Sequence, residues 1–433
     1  MKLATKILAT AVIALCALRF GTSADFYNIA IISAYFAITL IGATIIHLRI
    51  SPSLRDVVLV VAGTLAFAFI DFRLQHFEHA FFGWLSFAGI SSLAIMGIES
   101  VWTEGEKCKT HLLAFVPSLL FVTSEYFADN MLRWAATAHE KVYDLYLYSF
   151  DASLHVQIPF AIGRYFGQHR YFRHTALLAY IGLSVPIAVV YAGQVRRRGA
   201  KALQCFLTFV ITGPMGILFY NAVPALGPAH LFQKNFPWHP LAIDQVRHLL
   251  LEPVSLLGPR NAIPSLHMAW VLLAWWYSRG LSAAERAVAM FYLVFVALAT
   301  LGTGEHYFID LVVAVPFALL MESLFAYDLR LSDSNRVRGV AFGLVSTCAW
   351  LAALRFTPRL FWSTPILPWT LCAATVAIAL YFEMHLRHFG NSTPQVSPDS
   401  RDGRLDYAQS SSIAAERLAE ADSVPILVEI PKL

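Results

Sequence analysis

Charge is what this sequence has least of. Asp, Glu, Lys and Arg make up 14% of its 433 residues, against about 25% in soluble globular proteins. Hydrophobic residues make up 58%, and the mean hydropathy is +0.59. That balance excludes a disordered chain and argues against a water-soluble enzyme. Cysteine is also sparse. Cys16, Cys108, Cys205, Cys348 and Cys372 are scattered and form no CxxC pair. Four of them read as small membrane-core residues, and neither a disulfide framework nor a zinc site is expected. The net charge of +4 is spread thinly, with no basic block of the kind that binds nucleic acid.

Aromatic residues are plentiful, with 32 Phe, 17 Tyr and 10 Trp. They suit lipid-facing helices with rings at the membrane interface. A spanning helix needs roughly 20 apolar residues. Apolar runs lie near 27–47, 57–72, 80–98, 111–128, 174–193, 202–220, 264–278, 285–302, 307–327, 337–355 and 364–385. With Met1–Phe20 they predict an all-α polytopic membrane protein of about twelve spans. Lys2, Lys6 and the Thr22-Ser23-Ala24 stretch also fit a secretory signal, but an uncleaved first span is the preferred reading.

The stretch 130–173 mixes Asp144, Asp151, Arg164 and Arg170 with aromatics and reads as interfacial or re-entrant. The polar tail 387–433 reads as disordered and cytoplasmic, with a short helix near Ser411–Ala421 and an inert sequon at Asn391. The expected organisation is N-terminal helices over 1–129, a catalytic unit over 130–330, two helices over 331–386, then the tail.

Basic residues set the orientation. With Arg196, Arg197, Arg198 and Lys201 in the cytoplasm, alternation places about 16 basic residues inside and about 4 in short outside loops. Three motif clusters then fall on the outer face. The first is the turn Tyr220-Asn221-Ala222-Val223-Pro224-Ala225-Leu226-Gly227-Pro228. Its prolines and glycine end a helix, and alone it is a structural turn. The second is Arg260-Asn261-Ala262-Ile263-Pro264-Ser265-Leu266-His267. Ser265 stands at an N-cap position, and a helix start favours a bound anion such as phosphate. Arg260 adds a fork-shaped donor for phosphate oxygens.

The third cluster is Gly302-Thr303-Gly304-Glu305-His306-Tyr307-Phe308-Ile309-Asp310. His306 and Asp310 share a helix face. The pair suits a carboxylate-oriented nucleophile or base, and equally a proton relay in a transporter. Two imidazoles at one membrane face, near a phosphate-binding helix start, suit a double displacement. One attacks phosphorus, and the other protonates the leaving alcohol and activates the acceptor.

Ile263-Pro264-Ser265-Leu266-His267 followed by His306-Tyr307-xx-Asp310 resembles the type 2 phosphatidic acid phosphatase superfamily. The Tyr220-to-Pro228 turn and the stretch Tyr143–Asp151 resemble its inositol phosphorylceramide synthase branch. The resemblance covers roughly 140–328 and implies a six-helix catalytic bundle. It implies His306 as nucleophile, Asp310 as its orienting group and His267 as general acid and base. It further implies a site facing the lumen or the outside, a lipid substrate, and no metal or other cofactor. Two departures stand out. Ala299 and Thr300 occupy the place of the phosphatases' Ser-Arg pair, and their upstream Lys…Arg-Pro motif is missing. Arg260 is therefore the first candidate for the phosphate charge, with Lys234, Arg164, Arg170 and Arg173 behind it. Ser265, Asn261 and Tyr220 complete the expected substrate-binding set. Asn261 stands where branch members often have Asp, and Ala314-Val315 replaces a frequent Gly.

The expected activity is phosphotransfer from a lipid-borne phosphoester, like inositol phosphorylceramide synthase. Hydrolysis of a lipid or isoprenyl phosphate through the same histidine is the alternative. Transport is the competing class, but the ionisable clusters sit at one face rather than at the midplane where transporter sites lie.

Overall fold

The computed structural model describes residues 2–23, 34–51, 53–73 and 80–388. The expected tail helix at Ser411–Ala421 and the Asn391 sequon lie outside the described residues. Among the described residues the architecture is all-α, with one two-residue antiparallel ladder pairing β1 (Lys141–Val142) with β2 (Val254–Ser255).

The N-terminal helices are α1 (Leu3–Gly21), α2 (Ala34–Ile50), α3 (Leu54–Arg73), α4 (Ala80–Trp102) and α5 (Gly105–Ala138). Three shorter helices follow: α6 (Asp144–Ser153), α7 (Ile158–Gln168) and α8 (Arg170–Ile181). Then come α9 (Ser184–Arg198) and α10 (Leu203–Tyr220), joined by a tight turn in which Gly199 takes a φ of +57°. The short α11 (Pro228–Phe232) and α12 (Ile243–Arg247) lead to α13 (Leu266–Ser278), α14 (Ala283–Gly302) and α15 (Phe308–Leu324). The last two helices are α16 (Ser334–Phe356) and α17 (Ile366–His388).

Among the described residues, six helical stretches, against about twelve expected spans, are long and apolar enough to cross a membrane: Leu3–Gly21, Gly83–Trp102, Ser184–Tyr220, Ala283–Gly302, Ser334–Phe356 and Ile366–Leu386. Large apolar side chains such as Leu8, Leu65, Phe69, Leu178, Leu218 and Val345 face outward. In water such a surface would aggregate, and against lipid it is solvated. The chain is an integral membrane protein.

The expected spans need two revisions. The run 174–193 is not one helix. It breaks between α8 and α9, where Gly182 packs on Tyr292 of α14 and Pro186 lies in the first turn of α9. Proline lacks the N–H that a continuing helix needs, and suits a helix start. The second revision concerns α5, whose 34 residues run past the expected 111–128 stretch, so the irregular segment begins at β1.

One apolar core joins α8, α9, α10, α13, α14 and α15, with Phe166 of α7 against it. In α15 nearly every residue is buried, which explains its all-round apolar sequence. The N-terminal helices attach through α2 on α9 and α5 on α10. A second, aromatic core holds Tyr148, Phe150 and Phe160 against Trp350 and Phe361.

Ion pairs collect at one end of the bundle. Glu285, at the start of α14, takes both Arg49 of α2 and Arg196 of α9. Arg279 pairs with Glu383, and Arg198 with Asp328. Since α14 has 20 residues, its other end lies ~30 Å away. The three motif clusters meet there.

Candidate active site

The turn after α10, the start of α13 and the start of α15 come together through backbone hydrogen bonds. Ala262 N–H donates to the Ala225 carbonyl at 3.1 Å, and Ser265 N–H to the Asp310 carbonyl at 3.2 Å. Gly227 has a φ of +123°, and a Cβ there would collide with the Gly304 and Glu305 carbonyls. Only glycine fits this close approach. Ala229 N–H completes the seam by donating to Gly304 O at 2.9 Å.

This scaffold fixes His306. Its Nδ1 lies 2.8 Å from the Ala262 carbonyl oxygen and 3.4 Å from Asp310 Oδ2. A carbonyl can only accept, so Nδ1 carries the proton and the Nε2 lone pair is left free. Asp310 is itself held, because Oδ2 accepts from Tyr307 N–H at 2.7 Å. Both side chains are almost fully buried.

His267 lies in the first turn of α13. Its ring stacks on Tyr180 of α8 with centroids 4.1 Å apart, and its centroid lies 6.4 Å from that of His306. Ser265 caps α13, its Oγ accepting from Met268 N–H at 3.4 Å. Its oxygen thus serves the helix, while its hydroxyl proton stays available. Tyr220 is buried at the end of α10, and Asn261 Oδ1 is buried without a hydrogen-bond partner.

Two carboxylates on α6 hold this assembly from below. They sit two turns apart on one helix face. Asp144 accepts from Gly227 N–H at 2.8 Å, from Leu226 N–H, and from the Tyr307 hydroxyl at 3.1 Å. Asp151 accepts from Phe308 N–H at 2.8 Å and Ile309 N–H at 3.2 Å. It thereby satisfies the free donors at the start of α15. Burial pushes the Asp144 carboxyl up to about 6, against the pull of the Gly227, Leu226 and Tyr307 donors. Burial likewise raises Asp151 well above the usual carboxylate range. In sequence, both were visible only as part of the Tyr143–Asp151 stretch. The readable signal was a pair of acids at helical spacing among aromatics.

Arg260, expected to meet the phosphate charge, is engaged by backbone carbonyls in the structure. Its Nε donates to the His139 carbonyl at 3.2 Å, and its two Nη groups donate to the Gly258 and Leu256 carbonyls. The side chain ties the β1–β2 region to the 256–260 loop. Thr300 and Ala299 are fully buried in the bundle, so no cation replaces the phosphatases' arginine at that position. Arg170 and Arg173 are exposed and line an open cleft with Phe166, Gly167, His174 and Leu177. Phe166 packs directly on Gly302, so this cleft backs onto the segment leading to His306. Arg164 is half-buried in α7, and Lys234 is exposed in the loop after α11.

Residues 145–324 match the family model described as the PAP2 superfamily. This segment is similar to that superfamily. The match begins one residue after Asp144 and ends with α15, so it takes in the His267, His306 and Asp310 cluster. No curated protein and no solved structure matches the chain. PAP2 proteins are phosphatases and phosphotransferases, and the match supports an enzyme of that kind.

Proposed function

We propose that the chain transfers a phosphoryl group from a lipid-borne phosphoester through a phosphohistidine on His306, in the manner of inositol phosphorylceramide synthases. The supporting observation is the Nδ1 contact with the Ala262 carbonyl, which leaves Nε2 as the nucleophile. In the first step Nε2 attacks phosphorus and the P–O bond to the leaving alcohol breaks. His267 gives that oxygen its proton. The phosphorylated ring is cationic, and Asp310 with the Ala262 carbonyl stabilises its Nδ1–H. In the second step His267 takes the proton of an acceptor hydroxyl. The acceptor oxygen attacks phosphorus, the P–N bond breaks, and His306 returns to its starting state. Reacting atoms sit about 3–3.5 Å apart in a productive geometry, so the 6.4 Å ring separation suits one phosphoryl group between the two rings.

Arg170 and Arg173 supply the positive charge for the incoming headgroup. Asn261 Oδ1 and the Ser265 hydroxyl receive its polar edge. The ion-paired end, with Arg49, Arg196 and Arg279, lies in the cytoplasm, and the histidines face the lumen or periplasm.

Phosphoenzyme trapping tests this. Purified protein is mixed with radiolabelled phospholipid and quenched in alkali, where phosphohistidine survives. Label in wild type that disappears in His306→Ala supports the nucleophile, and absence of label in folded wild type overturns it. Adding ceramide, inositol or water alone then separates transferase from phosphatase by the product formed.

A further inference from the structure

The N-terminal helices lie outside the matched segment 145–324, yet they gather an unusual polar cluster at the ion-paired end. His47 is in the last turn of α2, Asp56 in the first turn of α3 and Glu99 in the last turn of α4. One ligand atom from each lies within 4.8 Å of the others. His111, in the second turn of α5, brings Nδ1 to 3.3 Å from Glu99 Oε2. Three helices thus deliver an imidazole and two carboxylates to one point, and α5 sets a second imidazole beside Glu99.

His47 is 0% exposed, and neither ring nitrogen has a hydrogen-bond partner. A buried polar group left unpaired is costly, so such a ring calls for a partner. Glu99 Oε2 and His111 Nδ1 are also buried without a hydrogen bond. Arg55 does not relieve this. Its guanidinium meets Glu99 Oε1 and, at 3.6 Å, Asp56 Oδ1, from a side chain 69% exposed. Glu99 Oε2 and Asp56 Oδ2 face the buried side, the second accepting from Ser51 Oγ at 3.3 Å, and the two carboxyls also meet each other. With His47 they turn lone pairs toward one buried point.

We propose that His47, Asp56, Glu99 and His111 bind one divalent transition-metal ion of the zinc class. Mixed imidazole and carboxylate ligands suit Zn²⁺, and also Mn²⁺ or Fe²⁺. Zinc bonds of about 2.0–2.2 Å put tetrahedral ligand atoms ~3.4 Å apart, so His47, Asp56 and Glu99 close on an ion by side-chain adjustment, with His111 turning in from beside Glu99 as the fourth ligand. The ion would clamp the α2–α3 turn to the α4–α5 turn. It lies at the opposite end of the bundle from His306 and does not depend on how the catalytic site is read.

The test uses full-length protein purified in detergent without a polyhistidine tag. It is stripped with chelator, exposed to Zn²⁺ and passed through gel filtration, and metal is measured by mass spectrometry. About one ion per chain is expected in wild type, falling below about one-tenth in His47→Ala and in Asp56→Asn. Equal zinc in wild type and in monodisperse variants overturns the proposal, as does zinc-free wild type. If the variants do not fold, the Co²⁺ absorption spectrum of wild type decides. An intense visible band from four N/O ligands supports the site, and the weak spectrum of hydrated Co²⁺ overturns it. Mn²⁺ and Fe²⁺, run in parallel, assign the preferred ion.

Discussion

His306 reaches the backbone before it reaches a carboxylate: its Nδ1 is 2.8 Å from the Ala262 carbonyl and 3.4 Å from Asp310. The tautomer is therefore set by a main-chain atom that the Ala225–Ala262 hydrogen bond holds in place. Asp310 adds charge rather than orientation alone. Where a carboxylate fixes the tautomer by itself, its amide variant loses about 10⁴-fold in rate. Here Asp310→Asn should lose only about 10²-fold in kcat with lipid phosphate. A loss as deep as that of His306→Ala would show that the carbonyl does not hold the proton.

Asp151 serves two N–H donors at the start of α15, and its role should separate from chemistry. Asp151→Ala leaves both buried donors unpaired, at about 1–3 kcal/mol each at most. The expected result is a lower Tm in detergent and a matching fall in kcat, with KM nearly unchanged. Asp151→Asn keeps one acceptor oxygen and should recover most of the Tm.

Asp144 links stability to pH. Its carboxyl titrates near 6 in the folded chain and near 3.9 when unfolded. Between those values the folded protein holds a proton that the unfolded chain has released. The group's contribution is full below about pH 4 and falls away as pH rises through 6, by about 3 kcal/mol in all. Thermal denaturation from pH 4 to 7.5 should show that decline in wild type and a flatter profile in Asp144→Asn. Parallel profiles would remove Asp144 as its source.

Gly227→Ala meets two penalties, a positive φ and a collision with the Glu305 carbonyl. Strained backbone costs of order 1–3 kcal/mol. The loop carrying His306 must shift, so kcat should fall more than Tm alone would predict. Steady-state kinetics at a temperature where the variant is fully folded distinguishes the two.

Arg260 and the Arg170–Arg173 pair should behave oppositely. Arg260→Met removes donors from three carbonyls and should lower Tm with little effect on KM. Arg170→Ala and Arg173→Ala leave Tm within about 0.5 kcal/mol of wild type, as exposed substitutions do, but raise KM several-fold. If Arg260→Met raises KM instead, its guanidinium reaches phosphate after all.

His267, His306 and Asp310 were legible as candidates because each stands in a local pattern, a histidine or acid at a helix start. Ser265 as the cap of α13 was legible for the same reason. Arg260 was expected to face phosphate because a charge beside a phosphate motif looks like a phosphate donor, whereas its guanidinium lies among backbone carbonyls. Nothing in sequence marks the three carbonyls that surround it. Asp144 and Asp151 act on residues some 80 to 160 positions away, a relation that no local spacing reveals. The same holds for His47, Asp56 and Glu99, each unremarkable inside its own apolar helix. Hydropathy found the apolar runs but could not see that Gly182 and Pro186 split one of them.

The length of α13 has its own consequence. It has 13 residues, so even upright it rises only ~20 Å from the ion-paired end where Arg279 meets Glu383. A bilayer's hydrocarbon is about 30 Å thick. In the orientation proposed above, this short helix sets His267 below the usual headgroup level, so a lipid phosphate has to leave that level to meet the ring.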